Sequence, residues 1–426
     1  MNRRDFVKSA TLATGGLAAI HLDAQPSPAP APGPGIKAYR PLGKTGFSVS
    51  DLCLGGGNLG SPATVIRAVE LGINYIDSAP DYGNSHKIIG EAFLKLGKEK
   101  RKQVFILSKI CDHVPYPGHY PETVSKETCL ASLEKSLRLL NTDYVDAWMI
   151  HALGERKGDE QARLNAPGYW AAIEEAKKRG MVRFVAASSH GPNAKIALLN
   201  KAIDTGKIDI IMPAYSFLGR EGGGTLQEVD AVIAKAKAAG IGVIAMKTVA
   251  RASEAEKAQL QSMAKDAGGV SYMHLCLRWV LQNPGVSGIV KTLSTPMEVE
   301  EYVKSSGQKL ATLDQERLQQ YAAHLSPRTC RIGCGDCHDA CPYGVEINVL
   351  MRLGSYFEDY HRERYAMSRY AQEMGREQVA SCQGCSAPCM RRCPYGVDVK
   401  AQLTRFDRIL RLGAGSDHDG ADRTLA

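Results

Sequence analysis

The sequence predicts an α/β protein, a (β/α)8 TIM barrel followed by a small, mostly helical domain built around cysteines. Three observations predict it. Between residues 37 and 325, eight short apolar runs alternate with stretches of helical period. Eight of the twelve cysteines fall in the last hundred residues, in two copies of one pattern. Ionisable residues close three of the apolar runs, at Asp77, Lys109 and His151, as working residues do in such a barrel. A chain of 426 residues, 44% hydrophobic, has core enough for one large and one small domain, which excludes a disordered or fibrous protein.

The N-terminus reads as an address. Arg3-Arg4-Asp5-Phe6-Val7-Lys8 is a twin-arginine pattern, and the weakly apolar stretch from Leu12 to Ile20 falls short of the ~20 residues that span a bilayer. Residues 1–24 are therefore expected to be a twin-arginine signal peptide, which sends a protein already folded to the periplasm or another extracytoplasmic space. Cleavage is placed after Ala24, although Leu22 is a poor fit to the small-residue rule. Residues 25–36 form a proline-rich linker, stiff and short of backbone donors. Removing residues 1–24 leaves 50 basic and 43 acidic residues, so the formal charge falls from +8 to +7. That charge is spread along the chain, and nothing in it calls for nucleic acid.

The predicted barrel occupies residues 37–325. Its strands are the runs Val49 to Leu54, Ile73 to Asp77, Val104 to Lys109, Tyr144 to His151, Val182 to Ala187, Ile208 to Tyr215, Ile241 to Met246 and Val286 to Val290. Helical periodicity fills the gaps, for instance Cys129 to Leu140, Trp170 to Arg179, Leu226 to Ala239 and Tyr272 to Gln282. An open doubly wound sheet is compatible with the same periodicity. However, Gly55-Gly56-Gly57-Asn58-Leu59-Gly60 lacks the spacing of a dinucleotide fingerprint. Cys53, Cys111, Cys129 and Cys276 lie on strand or helix patterns and are assigned to core packing.

Four polar residues sit where barrel chemistry is done. Asp77, Lys109 and His151 close the second, third and fourth strands, and Tyr82 lies in the loop after Asp77. Buried charges cost several kcal/mol unless paired, so Asp77 and Lys109 are expected to neutralise each other. A lysine beside Tyr82 would favour the phenolate and lower a pKa that starts near ~10. A tyrosine so tuned can pass a proton to a developing alkoxide, with His151 as a hydrogen-bond donor to the same oxygen. The bland alternative is a structural ion pair beside a loop tyrosine and a core histidine.

The last domain, residues 326–412, is read from Cys330, Cys334, Cys337, Cys341 and Cys382, Cys385, Cys389, Cys393. The sets repeat at offsets of 52, 51, 52 and 52, and each ends in Cys-Pro-Tyr-Gly-Val. A proline after the last cysteine marks cubane ferredoxins, where that fourth cysteine ligates the other cluster. Two 4Fe-4S clusters are expected, which with their thiolates would bring the net charge to about +3. Two zinc sites, or four disulfides in an exported chain, compete with this reading. Residues 413–426 are expected to be a flexible tail.

The segments Tyr39 to Ser50, Asn74 to Ser85, Ser108-Lys109 and His151 resemble the aldo-keto reductase family, whose barrel is floored by a hairpin like the first of these. The family's catalytic tetrad then falls on Asp77, Tyr82, Lys109 and His151. With the cysteines added, the chain resembles an exported branch carrying a C-terminal ferredoxin-like domain. The resemblance implies cofactor contacts at Ser188 and Ser189, where the family has Ser-Asn, and at Met212 and Met246, where it has glutamine and a stacking aromatic. It further implies Lys247, Lys291 and Thr292 as contacts, and it puts Met297 or Glu298 where an arginine would grip a 2'-phosphate. Glu298 would repel that phosphate, so NADP and NAD both stay open.

The resemblance implies NAD(P)H-dependent reduction of a small-molecule carbonyl, or oxidation of an alcohol, with Tyr82 as general acid or base. Hydride transfer needs no cluster. The ferredoxin-like domain would then be structural, exchange electrons with a redox partner protein, or recycle a nucleotide loaded before export. The alternative is a cluster-based electron-transfer protein whose barrel does no nicotinamide chemistry. The segments His113 to Pro121, Leu153 to Pro167 and Phe217 to Gly224 are expected to shape the mouth.

Overall fold

The computed structural model describes residues 35–154, 161–190, 195–219, 223–249, 258–260, 262, 270–331, 333–358, 362–374 and 379–412. The expected signal peptide, nearly all of the expected linker, the expected tail, and residues 155–160 and 220–222 of the expected mouth segments lie outside them.

The chain opens with an antiparallel hairpin, β1 (Tyr39–Pro41) and β2 (Ser48–Ser50), with Arg40 opposite Val49. Its tip docks on the base of the barrel, where Lys44 N donates to Gly240 O at 2.7 Å. Gly43, at φ +55°, sits so close that a Cβ there would lie 2.4 Å from Gly242 N. Leu42 and Val49 consequently join the core inside the barrel and close its floor.

Eight parallel strands follow: β3 (Leu52–Gly55), β4 (Tyr75–Asp77), β5 (Phe105–Lys109), β6 (Val145–Leu153), β7 (Val182–Ser189), β8 (Ile210–Pro213), β9 (Gly242–Ala245) and β10 (Gly288–Thr292). They pair in chain order, and β10 closes on β3. One apolar cluster fills the interior, including Tyr75, Phe105, Leu107, Met149, Ile210, Met212 and Ile244, while a larger one packs strands against helices. The sequence expectation of an eight-stranded barrel therefore holds, and every predicted run supplies residues to a barrel strand.

Three of the predicted runs differ in their bounds for physical reasons. The run from Val49 to Leu54 is split at Asp51, where the chain leaves β1 and joins β4 and β10. The buried Asp51 carboxylate holds that corner by accepting from Ser306 Oγ at 2.6 Å and Gly307 N at 2.8 Å. Strands β6 and β7 run past His151 and Ala187, because Ser189 Oγ donates to Leu153 O and Ser188 Oγ accepts from Ala152 N, both at 2.9 Å. Hydroxyls here replace ladder bonds that a propensity reading assumes.

The four predicted helices appear at Lys126–Leu139, Pro167–Lys178, Leu226–Ala238 and Tyr272–Leu281. Serine or threonine caps start three of them, at Ser125, Thr225 and Ser271, by accepting from backbone amides three residues on. Cys53, Cys111, Cys129 and Cys276 are all buried. The C-terminal segment carries helices Ile347–Glu358, Glu363–Glu373, Pro388–Arg392 and Val399–Arg411 around its own core of Leu350, Leu353, Leu403, Phe406 and Leu410. The duplication is visible in the backbone. Gly344 and Gly396 take φ of +62° and +70°, and their amides turn back to Cys341 O and Cys393 O at 3.3 and 3.4 Å. Only glycine adopts that conformation without cost, which is why Pro-Tyr-Gly-Val recurs. Among the described residues, no helix is long and apolar enough to cross a membrane.

Candidate functional site

Asp77 and Lys109 end neighbouring strands, so their side chains emerge together at the C-terminal mouth. Lys109 Nζ donates to Asp77 Oδ2 at 2.8 Å, Ser78 O at 3.2 Å and Tyr82 Oη at 3.2 Å. An ammonium has three donors, and here each has an acceptor. The charge also lies 4.2 Å from the centre of the Tyr82 ring. Burial disfavours the Lys109 ammonium, but Asp77 and Tyr82 outweigh it and hold the group well above its ordinary range. Burial pushes the Asp77 carboxyl up and Lys109 only partly offsets that; Asp77 Oδ1 has no hydrogen-bond partner among the described residues.

Tyr82 corrects one expectation. Burial raises its hydroxyl above the ordinary range, and the downward pull of Lys109 is the smaller effect. Tyr82 is thus a neutral phenol with its oxygen held against an ammonium, ready to give a proton rather than resting as phenolate.

His151 lies within β6, not at its end, where pairing with β7 shifts between Ile150 and Leu153 and Ala152 takes φ +51°. Arg163 secures the irregularity, donating to His151 O and Ala152 O at 2.6 Å each. The imidazole is buried, and desolvation, then Lys109 and His119, hold it neutral well below its usual pKa. Its Nδ1 is 3.0 Å from Nε2 of His119, and its ring meets Tyr82 edge-on with centroids 6.1 Å apart. The four residues singled out in the sequence therefore share one pocket.

The other singled-out positions line the same end of the barrel. Ser188 and Ser189 are the last residues of β7 rather than the start of a loop, and each hydroxyl is engaged with β6. Ser188 retains a hydroxyl proton to donate, and Ser189 an oxygen to accept. Met212 is buried on β8; Met246, just after β9, bonds through its backbone to Pro213 O and Tyr215 N. Lys247 is exposed at φ +53°, and Lys291 and Thr292 close β10. Glu298 does more than face the solvent. It caps its own helix, Pro296–Val303, accepting from Ser294 N at 2.5 Å and Thr295 N at 3.4 Å, so a carboxylate already sits on that N-terminus.

The cysteines gather in crossed sets. Cys341, from the first repeat, lines one pocket with Cys382, Cys385 and Cys389 of the second. The sulfurs that act on Cys337 are Cys393 first, then Cys334 and Cys389, so the fourth cysteine of the second repeat reaches across to the first. Burial pushes the Cys337 thiol up to about 12, and a metal cation at the centre is what would hold such sulfurs as thiolates. Ala387 N donates to Cys385 Sγ at 3.4 Å, the kind of amide contact that stabilises a thiolate ligand.

Residues 51–325 match the Aldo/keto reductase family. The chain belongs to that family. Residues 323–398 match a 4Fe-4S dicluster domain. The L-galactose dehydrogenase of Arabidopsis thaliana is 27% identical over 318 residues, spanning 68% of this chain and 94% of that protein. The NADH-specific methylglyoxal reductase of Escherichia coli K12 is 28% identical over 213 residues, 42% of this chain and 59% of that one. In fold, the chain is similar to the aldo-keto reductase AKR11C1 of Bacillus halodurans in its holo form, with a TM-score of 0.53, 21% identity and coverage of 67% and 96%.

Sequence reasoning missed three neighbours of the tetrad in this aldo/keto reductase. Asp81 stands beside Tyr82, and His119 and Tyr116 come from the loop after β5, with the Tyr116 ring 6.0 Å from His151 and 5.6 Å from His119. The aromatic and histidine content of His113 to Pro121 was the available signal; a loop has no periodicity to say which side chain turns inward.

Removing one partner of a buried pair leaves a bare charge. Lys109→Met is expected to cost about 3–5 kcal/mol, and the double variant Asp77→Asn/Lys109→Met to recover part of it. All three tryptophans, Trp148, Trp170 and Trp279, belong to the barrel, so their fluorescence in urea reads its unfolding. Equal loss in single and double variants would show that the pair is not what holds this corner.

Proposed function

We propose that this aldo/keto reductase reduces a small-molecule carbonyl, or oxidises the corresponding alcohol, with a nicotinamide nucleotide. The observation that carries the reading is the Tyr82 hydroxyl, kept neutral by burial and held 3.2 Å from the Lys109 ammonium. A carbonyl oxygen gaining negative charge would take the Tyr82 proton, and Lys109 would stabilise the phenolate left behind. Asp77 anchors Lys109, and neutral His151 orients the substrate oxygen through a ring N–H. When bound, the nucleotide supplies or accepts the hydride. Ser188 and Ser189 suit its carboxamide, Met246 can pack on a ring, and Lys291 and Thr292 suit phosphates. The Glu298 carboxylate on its helix N-terminus favours a nucleotide without a 2'-phosphate.

Cys330, Cys334, Cys337 and Cys393 would hold one 4Fe-4S cluster, and Cys341, Cys382, Cys385 and Cys389 a second. They would pass single electrons to a redox partner, or to the nucleotide, in a compartment without free nicotinamide. Folded export through Arg3-Arg4 is part of this reading, since clusters are assembled before translocation.

Three measurements test it. Tyr82→Phe is expected to cut NADH- or NADPH-dependent reduction of aldehydes and ketones by about 10²–10⁴-fold while leaving dithionite reduction of the clusters intact. A wild-type protein that oxidises neither nucleotide with any carbonyl, yet passes electrons through its clusters, supports the electron-transfer alternative instead. Crossed ligation predicts that Cys337→Ser/Cys393→Ser keeps half the iron, because both changes fall on one cluster, whereas Cys382→Ser/Cys393→Ser loses both; the reverse iron counts would mean uncrossed sets. Replacing Arg3 and Arg4 by lysine should hold the protein in the cytoplasmic fraction, and undiminished appearance outside it would reject this export route.

A further inference from the structure

We infer that Asp81, His119 and His151 form a site for one divalent first-row transition cation of the zinc type, separate from the cysteine sets. One donor atom from each residue lies within 4.8 Å of the others, and all three residues are buried. The facing imidazole nitrogens, Nδ1 of His151 and Nε2 of His119, are 3.0 Å apart. Nitrogens sharing a tetrahedral zinc at ~2.0–2.1 Å stand ~3.3 Å apart, so a cation needs an opening of only a few tenths of an ångström.

The third ligand supplies the independent observation. Asp81 is 3% exposed; its Oδ2 accepts from Gly118 N at 2.9 Å, while Oδ1 has no hydrogen-bond partner among the described residues. A buried carboxylate oxygen without a donor costs about 1–3 kcal/mol or more. The Cys111 thiol, a weak donor, lies beside this carboxyl, and the nearby cations do not relieve Oδ1. Lys109 spends its donors on Asp77, Ser78 and Tyr82, and Arg163 donates to the carbonyls of His151 and Ala152. A metal ion shared by Asp81 Oδ1 and the two imidazoles would satisfy that oxygen in exchange for the His119–His151 hydrogen bond.

The geometry is built rather than incidental. Asp112 N donates to Gly118 O at 2.8 Å, and a Cβ on Gly118 would fall 2.7 Å from Asp112 O and 3.1 Å from Asp81 Cβ. The glycine lets the loop lie flat on Asp81, and that contact places the next residue, His119. Three protein ligands of nitrogen and oxygen, with a further position open, are the donor set of catalytic zinc and of related divalent sites. The consequence for chemistry rests on the carbonyl reading above: a cation on Nδ1 of His151 fixes the ring proton on Nε2 as a hydrogen-bond donor. Cation binding itself does not depend on that reading.

The test is zinc chloride added to anaerobic protein with its clusters loaded, followed by equilibrium dialysis and zinc K-edge absorption. One zinc per chain, with only nitrogen and oxygen neighbours at ~2.0–2.1 Å, is expected. Asp81→Asn and His119→Gln should each weaken retention by about 10-fold or more, and Tyr82→Phe should leave it unchanged even if carbonyl reduction is lost. No retained zinc, sulfur in the shell, or full retention in both ligand variants would overturn the site and leave His119 as a hydrogen-bond partner of His151. The wild-type edge spectrum decides this even if a ligand variant fails to fold.

Discussion

A single ammonium, buried at the end of β5, sets the terms for the mouth of this barrel. Lys109 is 2% exposed, and burying a bare charge costs several kcal/mol, so the fold must bring it three acceptors. Asp77 on the adjacent strand supplies one, the backbone at Ser78 the second, and Tyr82 the third. These demands explain the loop after β4. Tyr82 N donates to Ala79 O and Ser85 N to Tyr82 O, a tight pair of turns that folds the ring back over the ammonium. The same requirement makes the site chemical: a phenol in hydrogen-bond contact with a fixed positive charge is poised to lose its proton only when something nearby gains negative charge.

The C-terminal domain answers a comparable problem by other means. Four sulfurs facing one another in an apolar pocket repel as thiolates and are inert as thiols, so the arrangement makes sense around a cation. Duplication solves the geometry. Each repeat ends in a turn whose glycine carries a positive φ, and each turn throws its last cysteine across to the other repeat's set. A metal held by each set would tie the two halves together, adding to the apolar core they share.

What was legible in the sequence follows from where each kind of order is stored. Eight strands, the Asp77 and Lys109 pair and the crossed cysteines were readable, because apolar period, the cost of burying charge and the Cys-Pro ending are local signals. The limits of β6 and β7 were not, since serine hydroxyls on β7 complete a ladder that backbone propensity alone would end sooner. Nor was the sign of the Tyr82 shift. The lysine beside it was visible, but the depth of the hydroxyl was not, and depth wins. His119 was the least legible residue of the site, since a glycine amide on an aspartate 37 residues earlier in the sequence, rather than any periodic pattern, decides where it points.

The join between the two domains is a matter of unequal contacts. Arg362, between the helices Ile347–Glu358 and Glu363–Glu373, donates to Gly57 O at 3.1 Å. Gly57 forms part of the lip, since a Cβ there would lie 3.2 Å from Thr292 Oγ1 and 3.9 Å from the Tyr82 ring. One exposed hydrogen bond from a charged side chain contributes about 1 kcal/mol, too little to fix a domain. The helix Thr312–Leu325 does more. Its Leu318, Tyr321 and Leu325 are buried with Leu218, Leu260 and Leu275 of the barrel, and each such side chain is worth roughly 1.5–3 kcal/mol. Leu325 stands only five residues before Cys330, so the anchored helix delivers the first cysteine set directly to the barrel flank. The start of the small domain is therefore placed by that helix, with the Arg362 bond a minor addition at the lip.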